Sequence, residues 1–279
     1  MIKMVVADYD DTTAKGEVVS DRVKQAIKKF RACGGKYVVC SGREATSIEN
    51  VIKKNGIIVD AISSYQGGRI RIGEELFSDN GIPSTLAAEI VDSVMEDFNR
   101  PSLAFFGDFI YYNGLNDCAR AYLNWTPCDR AYVKNLGEML KGSVGSCGKI
   151  LVTKTSVEED VTEIKGYIEQ KFGKYVSAFP MIHILELVSN RATKYDAVKR
   201  LAEHFGIKEN EVITMGDSPN DGPLLKFGTG IMVTGGSGEN VLERIAEYKA
   251  PSVETLPVAV VLESIIDGTF PNGLEKLKG

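Results

Sequence analysis

The residues best suited to chemistry stand at the very start of the chain. In MIKMVVADYDDTT a short apolar run ends at Asp8, with Asp10, Asp11 and Thr12 close behind. Carboxylates packed this closely repel one another unless a cation sits among them, and a hard divalent ion such as Mg2+ takes oxygen ligands of this kind. The stretch therefore reads either as a metal site with one carboxylate free for chemistry, or as an acidic turn after a strand. Polar groups recur further along: Ser41-Gly42-Arg43 directly after the β-rich run 36–40, Lys194 at a helix start, and Asp217, Asn220 and Asp221 after the run 212–215. Alone, Ser-Gly is also an ordinary turn. Together these groups supply carboxylates for a divalent cation, a hydroxyl donor and a lone cation, the parts that phosphoryl transfer requires. No G-x-x-x-x-G-K-[ST] occurs, so the nucleotide P-loop route is excluded. A metal-held carboxylate can instead attack phosphorus itself. A second carboxylate two residues later points to the other side of an extended segment, where it could reach the leaving group.

Positioning these groups needs a sheet whose strands end together. Met4–Ala7 is too short and β-rich for a helix. A helix follows with Ser20 as N-cap and Val23, Ile27 and Phe30 on its apolar face, ending at Gly34-Gly35. Strand 36–40 and helix 44–54 come next. Strand–helix alternation implies parallel strands joined by crossovers, with Asp8 and Ser41 at one carboxyl edge. Residues 57–62 and 69–72 read as short strands. From about residue 82 the texture changes: helix 86–98, an aromatic strand 102–112, an irregular stretch 113–135 carrying Trp125, strand 149–153, helix 157–172, and strands 175–179 and 183–187. The first style resumes with a helix from Thr193-Lys194 to Phe205, strand 212–215, a short helix 224–227, strand 230–233, a glycine-rich loop 235–238, and helices 241–246 and 257–266. The tail after Asp267 reads as a loosely held end. The fold class is therefore α/β: a Rossmann-like parallel sheet core with helices on both faces, residues 1–81 and 188–279, interrupted by an inserted α+β unit, residues 82–187.

Composition narrows the function. The 279 residues are 43% hydrophobic and 25% charged, with net charge -5. No basic run supports a nucleic-acid partner, and no apolar stretch approaches the ~20 residues of a membrane span. The five cysteines form no C-x-x-C and read as reduced thiols of a cytoplasmic protein. With only His183 and His204, far apart, a histidine metal site or Ser-His-Asp triad is not expected.

DYDDT, the strand-end SGR, the helix-borne Lys194 and GDSPND, in that order, resemble the four motifs of the haloacid dehalogenase superfamily of phosphohydrolases. The insertion looks like the large α/β cap of its Cof-like branch, which selects the substrate. The resemblance implies Asp8 as nucleophile, and Asp10 as general acid and then general base, its backbone carbonyl binding Mg2+. It implies Asp8 and Asp217 as carboxylate ligands with Asp221 in support, and Ser41, Gly42, Lys194 and Asn220 around the phosphoryl oxygens. A neutral Asp10 would need its pKa raised by a neighbouring carboxylate and by desolvation. Arg43 could face the ligand or form a core–cap salt bridge. Asp11 stands where the motif often has Gly. Gly235-Gly236 and Leu256-Pro257-Val258 replace the usual Asn-Ala and Asp-Gly-Val in loops expected to border the cap.

The expected activity is Mg2+-dependent hydrolysis of small phosphorylated metabolites, sugar phosphates above all, through an aspartyl-phosphate, by a monomer or weak homodimer. A phosphomutase of the phosphomannomutase type is the alternative, but it calls for clustered cap arginines, whereas Arg100, Arg120 and Arg130 are scattered. A non-catalytic phosphometabolite sensor is disfavoured by the presence of both Asp8 and Asp10. His183 is expected to complete a strand, and Trp125 and Tyr111-Tyr112 to pack the insertion.

Overall fold

The structure is a computed structural model that describes residues 1–277 apart from Trp125, Pro127, Ser237 and Gly238. The reading of Trp125 and the last half of the glycine-rich loop fall outside the described residues. The chain folds as two compact units. One comprises Met1–Arg43, Ile48–Phe77 and the chain from Thr193; the other comprises Glu44–Ser47 and Ser78–Ala192.

The first unit opens with β1 (Met4–Ala7), α1 (Asp21–Ala32), β2 (Lys36–Cys40), α2 (Ala45–Asn55), β3 (Ala61–Ser64), β4 (Arg69–Ile72) and β5 (Glu75–Asp79). The second unit holds β6 (Ile82–Pro83), α3 (Ser84–Phe98), β7 (Ser102–Phe106), β8 (Phe109–Tyr112), α4 (Asp117–Leu123), β9 (Asp129–Tyr132), α5 (Leu136–Lys141), β10 (Ser146–Thr153), α6 (Thr162–Phe172), β11 (Val176–Pro180) and β12 (Ile184–Ser189). The chain then returns to the first unit with α7 (Lys194–Phe205), β13 (Val212–Gly216), α8 (Gly222–Leu225), β14 (Thr229–Val233), α9 (Glu239–Leu242), β15 (Tyr248–Ala250), α10 (Pro257–Ile266) and β16 (Glu275–Lys276).

The sheet of the first unit runs β16-β15-β14-β13-β1-β2-β3-β4-β5. Its centre is parallel: β1 pairs β13 on one side and β2 on the other, with Ala7 opposite Met215 and Val39. Successive side chains of β1 serve opposite faces. Val5 and Ala7 pack with α1, α2 and α10, while Met4 and Val6 pack with α7 and α8. Burying each such valine contributes about 1.5–3 kcal/mol. A one-residue slip would draw Asp8 into the apolar layer, so the charge that ends β1 also fixes its register.

The α/β expectation, with helices on both faces, holds. Three differences are physical. The edges are not parallel: β4 returns antiparallel to β3 after a short turn, and β16, reached through α10, runs antiparallel to β15. The tail is not loosely held, because β16 pairs β15 and Phe270 and Leu274 pack on the core. Residues 57–60, read as strand, precede β3 as irregular chain; Ile57 is buried, and its apolarity serves packing rather than the ladder.

The second unit is a mostly antiparallel sheet in the order β11-β12-β10-β7-β8-β9, with β6 beside β10, and helices α3, α5 and α6 pack on one face. The aromatic stretch 102–112 is a hairpin bent at Gly107, which has φ +61°, rather than one strand. The stretch 113–135 contains α4, N-capped by Asn116, and β9. Helix 157–172 starts only at Thr162. His183 lies just before β12 rather than inside it.

Candidate active site

Three carboxyl ends of the parallel strands meet at one edge. Asp8 follows β1 and its N–H donates to the Met215 carbonyl at 2.9 Å. Ser41 follows β2, its N–H bonded to the Ser63 carbonyl at 2.8 Å. Asp217 follows β13. Lys194 comes from the first turn of α7, whose N-cap Thr193 accepts the Asp196 N–H. The turn before β4 fixes that helix start, because at Gly67, with φ +101°, a Cβ would stand 2.2 Å from the Thr193 carbonyl oxygen. Only glycine permits that approach.

Lys194 is the hub. Its ammonium lies 2.6 Å from Asp8 Oδ1 and 2.5 Å from Asp221 Oδ1, and it is 1% exposed. The second oxygen of Asp221 accepts the backbone N–H groups of Asp217 at 3.1 Å and Ser218 at 3.0 Å, which ties the loop after β13 to the lysine. Thr12 donates to Asp217 Oδ1 at 2.9 Å, and Thr13 donates to the Asp8 carbonyl at 2.6 Å. Burial pushes the Asp8 carboxyl up to about 7, against the pull of Lys194. It raises Asp217 to about 6, against the Thr12 hydrogen bond. Lys194 is held in its charged form, since the two carboxylates outweigh its desolvation.

Oxygen ligands of Asp8, Asp217 and Asp221 all lie within 4.8 Å of one another. One ammonium cannot neutralise three carboxylates, so the cluster carries two surplus negative charges when fully ionised. A hard divalent cation with oxygen coordination matches both that charge and that donor set. The residues fit such an ion.

The outer members of the constellation divide. Ser41 is buried, and its hydroxyl accepts the Arg43 N–H at 3.1 Å. Gly42 is approached by the Gln66 side chain, whose Nε2 would lie 2.4 Å from a Cβ there. Asn220 is exposed, with its amide oxygen bonded to the Ser218 hydroxyl rather than turned into the acidic cluster. Asp11 is exposed at φ +52°, a left-handed position that explains why glycine is usual there. Arg43 grips Asp10 through both oxygens, Nε to Oδ2 at 2.8 Å and Nη2 to Oδ1 at 2.6 Å.

Sequence reasoning assigned no role to Thr12 or Thr13 and missed the Arg43–Asp10 pair. The threonines carry a signal, being hydroxyls directly after the acidic run; the pair spans 33 residues and leaves none. It also gave Gly236 no part in the acidic cluster. A Cβ at Gly236 would stand 2.2 Å from the Asp217 carbonyl oxygen and 2.5 Å from its Oδ2, so this loop packs on the acidic cluster itself.

A family model described as haloacid dehalogenase-like hydrolase matches residues 5–262. A Haemophilus influenzae relative is 26% identical over 272 residues, covering 94% of this chain and 98% of its own. A Bacillus subtilis relative named 5-amino-6-(5-phospho-D-ribitylamino)uracil phosphatase YitU is 22% identical over 276 residues, covering 93% of this chain and 96% of its own. The crystal structure of TM0651 from Thermotoga maritima superposes with TM-score 0.82 at 24% identity, covering 94% of this chain and 97% of that one.

Proposed function

The chain belongs to the haloacid dehalogenase-like hydrolases and is a phosphatase, and we propose that it hydrolyses small phosphorylated metabolites, sugar or polyol phosphates foremost, with Mg2+ and through an aspartyl-phosphate. The observation that carries the reading is the buried cluster of Asp8, Asp217 and Asp221, in which Lys194 pairs with Asp8 and Asp221. The Bacillus subtilis relative, named for a phosphate carried on a ribityl chain, supports the substrate class.

Asp8 and Asp217 would hold the ion with the Asp10 carbonyl, Asp221 supporting. When bound, Mg2+ supplies positive charge against the phosphoryl oxygens. Lys194 bonds Asp8 Oδ1 and steadies the carboxylate that would attack phosphorus. The phosphorus–oxygen bond to the leaving alcohol breaks as the bond to Asp8 forms, and Asp10 gives that alcohol its proton. Asp10, now a base, takes a proton from water, which attacks phosphorus, releases inorganic phosphate and restores Asp8. Ser41, Gly42 and Lys194 bind the phosphoryl oxygens, and Asn220 joins them only by turning from Ser218. Substrate choice we attribute to the inserted unit, residues 82–187 in the sequence reading. Five free thiols favour a reducing, cytoplasmic setting.

The protein with Mg2+ should hydrolyse p-nitrophenyl phosphate, and EDTA should abolish the activity. An unchanged rate in Asp8→Asn would remove the nucleophile assignment. A panel of sugar, polyol and nucleotide phosphates identifies the leaving group, with the first two expected to be preferred.

A further inference from the structure

We infer that Arg43 and Glu17 form a positioning relay for Asp10; this rests on the reading of Asp10 as the proton-transferring carboxylate. The Arg43 fork takes both oxygens of Asp10, and its remaining nitrogen, Nη1, lies 3.5 Å from Glu17 Oε1. The guanidinium also lies over the fully buried Tyr9 ring, 5.5 Å from its centroid. Its own backbone is pinned on both sides. The Arg43 N–H donates to Ser41 Oγ, and its carbonyl accepts the Tyr65 N–H at 2.9 Å. A planar fork held at its base, its face and its far end has little freedom to carry Asp10 elsewhere.

Glu17 is itself anchored. Asn55 at the end of α2 donates to the Glu17 carbonyl at 2.8 Å and to the Tyr9 hydroxyl at 3.1 Å, and the Tyr9 hydroxyl donates to the same carbonyl at 3.4 Å. Lys54 lies 3.4 Å from the other Glu17 oxygen. The contacts therefore run from α2 through Glu17 and Arg43 to Asp10. Glu17, seven residues beyond Asp10 and outside the acidic motif, acts on the reaction only through the arginine. Proton transfer falls steeply when a donor is displaced by about 1 Å, by about 100-fold. A lysine at 43 could meet one Asp10 oxygen but not both together with Glu17.

Arg43→Lys should lower kcat by about 10- to 100-fold with KM within about threefold, and Glu17→Gln should lower kcat by about three- to tenfold. The double variant should match Arg43→Lys within about twofold, and in an Asp10→Asn background Arg43→Lys should change nothing further. A rise in KM with kcat unchanged would make Arg43 a substrate contact, and multiplying effects would make Glu17 independent; either overturns the relay. The Arg43 Nε–H resonance gives a readout free of activity. It should exchange slowly with water, shift in Glu17→Gln, and lose its protection in Asp10→Ala. Should the wild type hydrolyse no phosphate monoester, the proposed function falls while this resonance still decides the relay; indifference to Asp10→Ala overturns it.

Discussion

Lys194→Met tests the electrostatic core of the site. The wild-type ammonium is 1% exposed and holds Asp8 and Asp221 at 2.6 and 2.5 Å. Methionine keeps the length and apolar stem of the side chain, so the packing of that stem changes little. What changes is charge. Removing one partner of a buried pair costs about 3–5 kcal/mol, because the other charge stays buried without compensation. Here one cation serves two carboxylates, which argues for more. Asp8, already pushed up to about 7, can take up a proton near neutral pH and so caps the loss. Taking about 3–5 kcal/mol, with about 2–4 °C per kcal/mol for a domain of this size, thermal unfolding of the first unit should fall by about 6–20 °C. The measurement is circular dichroism at pH 7.5 in EDTA. Lys194→Met with Asp221→Asn should recover part of the loss, since it removes one stranded charge while an amide oxygen can still accept the Asp217 and Ser218 N–H groups. A variant melting within about 2 °C of wild type, or a second substitution that only adds damage, would refute the reasoning.

Two further outcomes follow from other parts of the first unit. Burial alone would raise Asp60, but Arg31, the Tyr37 N–H and Lys36 outweigh it and hold its carboxyl below the usual carboxylate range. A depressed native pKa contributes stability above the unfolded value of about 3.9 and loses it as pH falls through the native one. Asp60→Asn should therefore be less stable than wild type by about 1–2 kcal/mol at neutral pH, and the gap in denaturant unfolding should close below about pH 4. A gap that persists at pH 2 would contradict the ionic origin. Gly236→Ala should press on Asp217 and weaken the Mg2+-dependent rise in melting temperature, with about tenfold more Mg2+ needed for half the effect; a titration superposable on wild type would show that the loop yields.

Much of this protein was legible in its order of residues. Apolar runs at Met4–Ala7, Lys36–Cys40 and Val212–Met215, each ending in a polar group, fix strands and their carboxyl edge, because a buried strand cannot admit Asp8 or Asp217. Ser20 as N-cap and the face of Val23, Ile27 and Phe30 were equally local, and the structure keeps both. Short-range signals of this kind carry their own physics. The pairings were not local. That Lys194 reaches Asp8 across 186 positions depends on α7 packing beside β1, and that Arg43 turns to Asp10 depends on adjacent strands ending in register. Gly236 was legible as a departure from the family pattern, but its close approach to Asp217 was not. Residue types named the chemistry available at the edge of the sheet. Close approach in three dimensions decided which carboxylate shares the lysine, which one the arginine holds, and how much charge is left for a cation.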